Sequence, residues 1–204
     1  GDFSGMVRCT GNKILVSTID GVGTKTSFIP EIVKDIRTAY NILGEDIVNH
    51  CVNDTLVKGA EPLMFLDYIA SSFIDKEKIL SIVEGMTKAC LAAKCPLIGG
   101  ETAEMPSVYK WEKNDIVGCI IGKLDNTFVN FPRQPISGDY LLGIKSTGPH
   151  TNGFSLINKI DWSQSLINTK FDNINVSKTY SGEGIVISNE NAKGIIIKGV
   201  DDDN

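Results

Sequence analysis

An α/β fold is expected for this chain of 204 residues. Apolar runs of strand length alternate with longer segments of helical periodicity, and Pro or Gly punctuates the joints. Polar, glycine-bearing stretches follow several of the strand-like runs. Open α/β sheets gather their ligands at the carboxyl ends of strands in this way. The length suffices for one sizeable core, or for one domain plus an appendage.

Residues 14–19 (Ile-Leu-Val-Ser-Thr-Ile) read as a strand. Within residues 45–60, Ile47, Val48, Cys51, Val52, Leu56 and Val57 form a helical stripe. Residues 63–70 are a strand entered through Pro62, which ends the preceding helix. Residues 75–94 are a second helix: Asp75 suits its N-cap, and Ile79, Ile82, Val83, Met86, Cys90 and Leu91 recur at helical spacing. Residues 96–98 give a short strand running into Gly99-Gly100, residues 116–124 and 140–146 give two more, and a helix starts at Phe154. Beyond Ile160 the chain turns richer in Asn, Ser, Lys and Gly, with short β-like runs at 185–187 and 195–197. The expected organisation is an α/β domain over residues 1–159 and a short appendage over 160–204.

The net charge of −5, with no clustered Lys/Arg interleaved with aromatics, argues against nucleic acid as the main partner. No apolar run reaches membrane-spanning length, and the N-terminal Gly-Asp-Phe-Ser-Gly-Met lacks both signal-peptide character and an initiator Met, as in a fragment or processed chain. The five cysteines are odd in number and contain no Cys-x-x-Cys pair; with only His50 and His150 besides, a zinc site is disfavoured. Cys51, Cys90 and Cys119 lie in apolar periodic stretches and read as buried reduced thiols, which fits a cytoplasmic protein.

Four constellations carry chemistry. Directly behind the first strand stand Asp20, Gly21, Gly23, Thr24 and Lys25. The carboxylate suits Mg²⁺, the glycines let backbone N–H groups close on phosphate oxygens, and the hydroxyl and ammonium add a donor and a charge. Taken alone, such a stretch also suits an ordinary turn. On the first long helix stand Asn53 and Asp54, followed by Lys58-Gly59-Ala60-Glu61-Pro62. A carboxylate near a helix C-terminus opposes the dipole, so a compensating cation is expected, and a Mg²⁺ shared with Asp20 would supply it; a solvated Asp is the alternative. Gly99-Gly100-Glu101-Thr102-Ala103-Glu104 brings backbone donors and a further metal-competent carboxylate, or else a turn with solvated acids. The last stretch, residues 146–153, is Gly-rich and polar and carries His150 and Asn152.

Together, residues 20–25, the Asp54-x4-Gly59-Ala60-x-Pro62 signature, residues 63–68, Gly-Gly-Glu-Thr-Ala-Glu-Met-Pro at 99–106, and residues 148–156 resemble the phosphoribosylformylglycinamidine cyclo-ligase (aminoimidazole ribonucleotide synthetase) family. The similarity runs in order over about residues 1–159. The Asp-x4-Gly-Ala-x-Pro pattern alone marks a wider superfamily that includes selenophosphate synthetase and thiamine-monophosphate kinase. The Gly-Gly-Glu-Thr-Ala-Glu-Met-Pro run points to the cyclo-ligases.

This resemblance implies ATP-dependent closure of the imidazole ring of formylglycinamidine ribonucleotide, in purine biosynthesis, with ATP and Mg²⁺ as cofactors. It implies Asp20 and Asp54, with Glu101, as metal ligands, and Gly21, Gly23, Thr24, Lys25, Asn53, Gly99 and Gly100 on ATP. Thr102, Ala103, Glu104 and Asn152 would face the ribonucleotide, and His150 and Lys25 would serve catalysis. The implied architecture is an α/β unit whose mixed β-sheet forms half of an intersubunit barrel with helices outside, hence a homodimer. Family members also carry residues before the equivalent of Gly1 and a second α/β domain after that of Lys159, so a chain inactive by itself is expected. A non-catalytic Mg-nucleotide-binding or dimerisation module is the alternative. His50 stands where small or apolar residues are usual, one turn from Asp54, and either touches the site or packs.

Overall fold

The computed structural model describes residues 3–9, 11, 13–111, 113–125, 136–144, 150, 152–159, 179–188 and 191–200. They fall into two compact units, Gly1–Arg133 and Gln134–Asn204. The composition of the chain changes later than this division, near Ile160.

The first unit contains β1 (Gly5–Arg8), β2 (Lys13–Gly21), α1 (Lys25–Ile32), α2 (Ile36–Leu56), β3 (Glu61–Ser71), α3 (Lys76–Ala92), β4 (Leu97–Glu104) and β5 (Asn114–Asp125). Its sheet has the order β1-β2-β5-β3-β4. Only β3 and β4 pair in parallel; the other neighbours are antiparallel, so the sheet is mixed as expected. Strands β2, β3 and β4 therefore run the same way and end on one rim, at Gly21, Ser71 and Glu104.

Helix α2 begins nine residues before the expected start at 45. Asp35 caps it by accepting from the Thr38 N–H at 2.8 Å, and Tyr40 and Leu43 extend the buried stripe of Ile47 and Cys51 upstream. The helix stops at Leu56, short of the expected residue 60, because Gly59 turns the chain at φ +71°. Helix α3 is capped by Asp75 as expected, which accepts from the N–H groups of Glu77 (3.0 Å) and Lys78 (3.3 Å). The strand expected at 96–98 does not end at Gly99-Gly100: β4 continues through both glycines, held in register by Asp67 opposite Gly100.

The core lies between α2, α3 and one face of this sheet. Leu43, Ile47, Val48, Cys51, Phe65, Ile69, Ile82, Met86, Ile116 and Ile120 are no more than 1% exposed. Helix α2 settles onto β5 over glycines: a Cβ on Gly118 would stand 2.9 Å from Ile47 Cγ1, and one on Gly122 would stand 2.5 Å from Thr55 Cγ2. Its crossing with α3 is equally close, Gly44 facing Ile82 and Gly85 facing Asn41. The opposite sheet face, with Leu15, Ile19, Leu66, Val117, Cys119 and Ile121, joins neither buried cluster, and Ile19 is 69% exposed. Cys119, expected to be buried, is half-buried because its place on β5 alternates with the inward Ile120. All five cysteines are free, with Cys51, Cys90 and Cys95 buried.

The second unit holds β6 (Tyr140–Gly143), α4 (Phe154–Ile157), β7 (Thr179–Ser188) and β8 (Asn191–Val200). Its strands form an antiparallel sheet in the order β6-β7-β8. The β-like runs at 185–187 and 195–197 are the middles of β7 and β8. Residues 145 and 146 of the strand expected at 140–146 lie outside the described residues. Among the described residues, no helix is long and apolar enough to cross a membrane.

Candidate metal and phosphate site

Strand β2 carries Asp20 to the rim, one residue before the strand ends, where it lies opposite Gly118 of β5. Helix α2 crosses above. His50 and Asp54 are four residues apart on α2, so both face the same way. The three side chains meet: His50 Nε2 lies 3.0 Å from Asp20 Oδ2, and one donor atom from each of Asp20, His50 and Asp54 falls within 4.8 Å of the others. The other Asp20 oxygen, Oδ1, accepts from the Gly21 N–H at 2.7 Å, which fixes the carboxylate plane. Ser4 Oγ donates to the Asp54 carbonyl oxygen at 3.1 Å and ties the N-terminal segment to α2 beside the cluster.

Cys51 lies alongside and donates to the Gly118 carbonyl at 3.6 Å. Burial, reinforced by the carboxylates of Asp20 and Asp54, pushes its thiol up to about 12. It therefore stays neutral, and two carboxylates and an imidazole are the donors of the cluster.

Beyond Asp20, Val22 is pinned to the sheet through its N–H on the Ile116 carbonyl (2.9 Å) and is 4% exposed. Gly23 turns the chain at φ +67°, and Thr24 forms the N-cap of α1 without a side-chain capping bond. Gly23 and Thr24 are exposed at the head of an eight-residue helix, where backbone amides and the helix dipole favour an anion. Lys25 points inward: its side chain is 5% exposed and its ammonium pairs with Asp46 of α2. Asn53, next to Asp54, is exposed.

The Gly99–Glu104 segment reaches the same rim on another strand. Glu101 stands opposite Tyr68, Tyr68 opposite Val117, and Val117 opposite Gly21. Three strand spacings, about 14 Å, therefore separate Glu101 from β2. Glu101 also lies on the sheet face away from α2, because its row is the one that alternates with Asp20 and Gly118. The structure thus brings Asp20 and Asp54 together and leaves Glu101 apart. Thr102 and Glu104 are exposed on β4 and Ala103 is half-buried; Glu104 accepts from the Ile74 N–H at 2.7 Å. His150 and Asn152 belong to the second unit, where both are exposed.

Two acidic residues that the motifs did not single out matter locally. Asp46 holds Lys25, and with His50 and Asp54 it forms a four-residue repeat along α2 that was readable as one helix face. Asp67 lies in the row Asp20–Gly118–Asp67–Gly100. A Cβ on Gly100 would stand 2.2 Å from Asp67 Oδ1, so glycine there makes room for the carboxyl. Burial raises its pKa above the ordinary carboxylate value. No sequence signal marks Asp67, since only the β3–β4 register shows what it meets.

Residues 1–124 match the family model described as AIR synthase related protein, N-terminal domain. The phosphoribosylformylglycinamidine cyclo-ligase of Clostridium novyi (strain NT) is 40% identical over 183 residues, covering 88% of this chain and 54% of that protein. That of Clostridium botulinum (strain 657 / Type Ba4) is 44% identical over 162 residues, 78% of this chain and 47% of its own length. The chain thus spans about half the length of the curated relatives it matches. Among solved structures, T. maritima PurL complexed with ADP superposes with a TM-score of 0.54 at 16% identity, over 69% of this chain and 22% of that one. A protein from Thermus thermophilus gives 0.50 at 20% identity, over 69% and 41%. Both share the fold over that part of the chain. With a family match covering more than half of its length, the chain belongs to the AIR synthase related proteins and carries their N-terminal domain.

Proposed function

We propose that this chain supplies the nucleotide- and metal-binding part of a phosphoribosylformylglycinamidine cyclo-ligase, which closes the imidazole ring of formylglycinamidine ribonucleotide at the expense of ATP. The observation that carries the reading is the meeting of Asp20 and Asp54, from separate motifs, beside the exposed Gly23-Thr24 head of α1. Identity of 40–44% to proteins of that name supports it. In the reaction the formyl oxygen takes the γ-phosphoryl group of ATP, releasing ADP. A substrate nitrogen then attacks the activated carbon and phosphate leaves.

The donor set fits a divalent cation, since two carboxylate oxygens and a third donor already converge within 4.8 Å. Asp20 and Asp54 would hold Mg²⁺, which when bound supplies positive charge to the phosphoryl oxygens. Around it, the amides at Gly23 and Thr24 would receive phosphate oxygens, and Gly21 would keep Asp20 oriented. Lys25, buried against Asp46, fixes α1 to α2 beneath the loop, its charge compensated there by the carboxylate. Glu101, Thr102, Ala103 and Glu104, with Gly99 and Gly100, would act at the far end of the rim, and Asn53, His150 and Asn152 remain part of the proposed ATP and ribonucleotide contacts. The work left to these groups is positioning and charge neutralisation.

A second copy of the chain would cover the sheet face that carries Ile19 and Cys119, giving the homodimer. Titration with Mg²⁺ and a non-hydrolysable ATP analogue tests the reading. Asp54→Asn is expected to weaken analogue binding about tenfold or more; equal binding by variant and parent would remove the metal assignment.

A further inference from the structure

We propose that His50 is itself a ligand of the ion held by Asp20 and Asp54, and that its imidazole makes the site favour Mn²⁺ over Mg²⁺. This rests on the reading that those two carboxylates hold a metal. It adds a donor that the family resemblance did not supply, since His50 stands where that resemblance expects a small or apolar residue.

The geometry approaches that of one coordination shell. Ligands on a six-coordinate ion with bonds near 2.1 Å lie roughly 3.0 Å apart when adjacent and about 4.2 Å when opposite. His50 Nε2 and Asp20 Oδ2 are already 3.0 Å apart, the spacing of adjacent ligands, and the three donor atoms lie within 4.8 Å of one another, so that at most about 0.6 Å of closure would gather them on one ion. The ring is held in place, its side chain 13% exposed, on a helix braced by close glycine contacts with α3 and β5. His50 and Asp54 leave that helix one turn apart, so the pair is presented as a rigid unit. Cys51, the thiol next to His50, is committed to the Gly118 carbonyl.

Chemistry then decides the preference. Mg²⁺ takes oxygen ligands and retains its waters, whereas an imidazole nitrogen binds progressively better along the series from Mn²⁺ to Cu²⁺. Two carboxylates serve either ion; the nitrogen is the discriminating donor. Without a metal, the same contact is an imidazole hydrogen bond to Asp20, and the experiment must separate the two.

The test is binding of Mn²⁺ to the chain without nucleotide, followed by loss of the free-ion paramagnetic resonance signal, with Mg²⁺ as competitor. Pulsed measurement on the bound ion reads nitrogen hyperfine coupling. We expect one bound Mn²⁺ with nitrogen coupling, displaced by Mg²⁺ only at about tenfold or greater excess. His50→Gln should abolish the coupling and weaken Mn²⁺ about tenfold, leaving Mg²⁺ within about twofold. Bound Mn²⁺ without nitrogen coupling in the parent overturns the proposal, and needs no variant to fold. So does a His50→Gln change that weakens both ions equally. If Asp54→Asn abolishes Mn²⁺ binding while His50→Gln leaves it untouched, the inference about His50 fails and the metal reading survives. If no ion binds the parent, both fail.

Discussion

Gly44→Ala should destabilise the first unit, although helix propensity alone predicts the reverse. A methyl at Gly44 would stand 2.1 Å from the Ile82 carbonyl oxygen and 2.9 Å from the Met86 nitrogen, both backbone atoms of α3. Non-bonded carbon contacts lie near ~3.5 Å, so the methyl is short by more than about 1 Å. Backbone cannot rotate aside as a side chain would, and α2 and α3 must separate. A gap of about 1 Å forfeits up to roughly half of the contact attraction along the interface, which here buries Leu43, Ile47, Ile82 and Met86. Overpacking of this kind costs ~1–3 kcal/mol and more where the obstacle is rigid, against ~1 kcal/mol gained by replacing glycine within a helix. The net expectation is a loss of about 2 kcal/mol, or about 6–10 °C in Tm for a unit of this size. Urea unfolding measures it, with the slope confirming a two-state transition. Gly85→Ala meets the Asn41 carbonyl oxygen at 2.0 Å on the same crossing. The double variant should therefore cost less than the sum, by about 1 kcal/mol. A stabilised Gly44→Ala, or strict additivity with Gly85→Ala, would refute the close crossing. Because α2 also carries His50 and Asp54, the single variant should weaken metal binding as well.

Asp67→Asn should stabilise the protein near neutral pH. Burial raises the native pKa of Asp67 above its unfolded value, so what its protonated form contributes is present below the ordinary carboxylate value and lost as pH rises through the raised one. The variant's advantage in urea midpoint is expected at about pH 7 and should vanish by about pH 2, well below the unfolded value, where the carboxyl is neutral in both states; an advantage independent of pH would show that desolvation of the charge is not its source. Cys119→Arg places a cation at the centre of the sheet face opposite α2, between Ile19 and Leu66. Light scattering should then find the parent dimeric and the variant monomeric with unchanged helix content, and a monomeric parent would dismiss the dimer proposal.

The alternation of periodicities was enough to recognise an α/β fold, and Asp75 announced the start of α3 because capping is a local matter between a side chain and the amides two and three residues on. The Asp-Gly-x-Gly-Thr stretch and the Gly-Gly-Glu-Thr run were legible for the same reason, since their chemistry is written in adjacent residues. The length of α2 was not: its first turns are anchored by Tyr40 and Leu43 packing on the sheet, and burial overrode a weaker periodic signal. Gly99-Gly100 read as a strand end because glycine is a breaker locally, yet pairing with β3 holds the strand through it.

By itself, then, the sequence determined which residues could bind metal and phosphate, and that Asp20 follows a strand while Asp54 rides a helix. Which of these meet was decided only in three dimensions. The sheet order puts β5 and β3 between Asp20 and Glu101, the pleat turns Glu101 to the other face, and the glycine seat of α2 lowers His50 and Asp54 onto Asp20. Coordination depends on distances between atoms far apart in the chain, and strand order and helix seating set those distances.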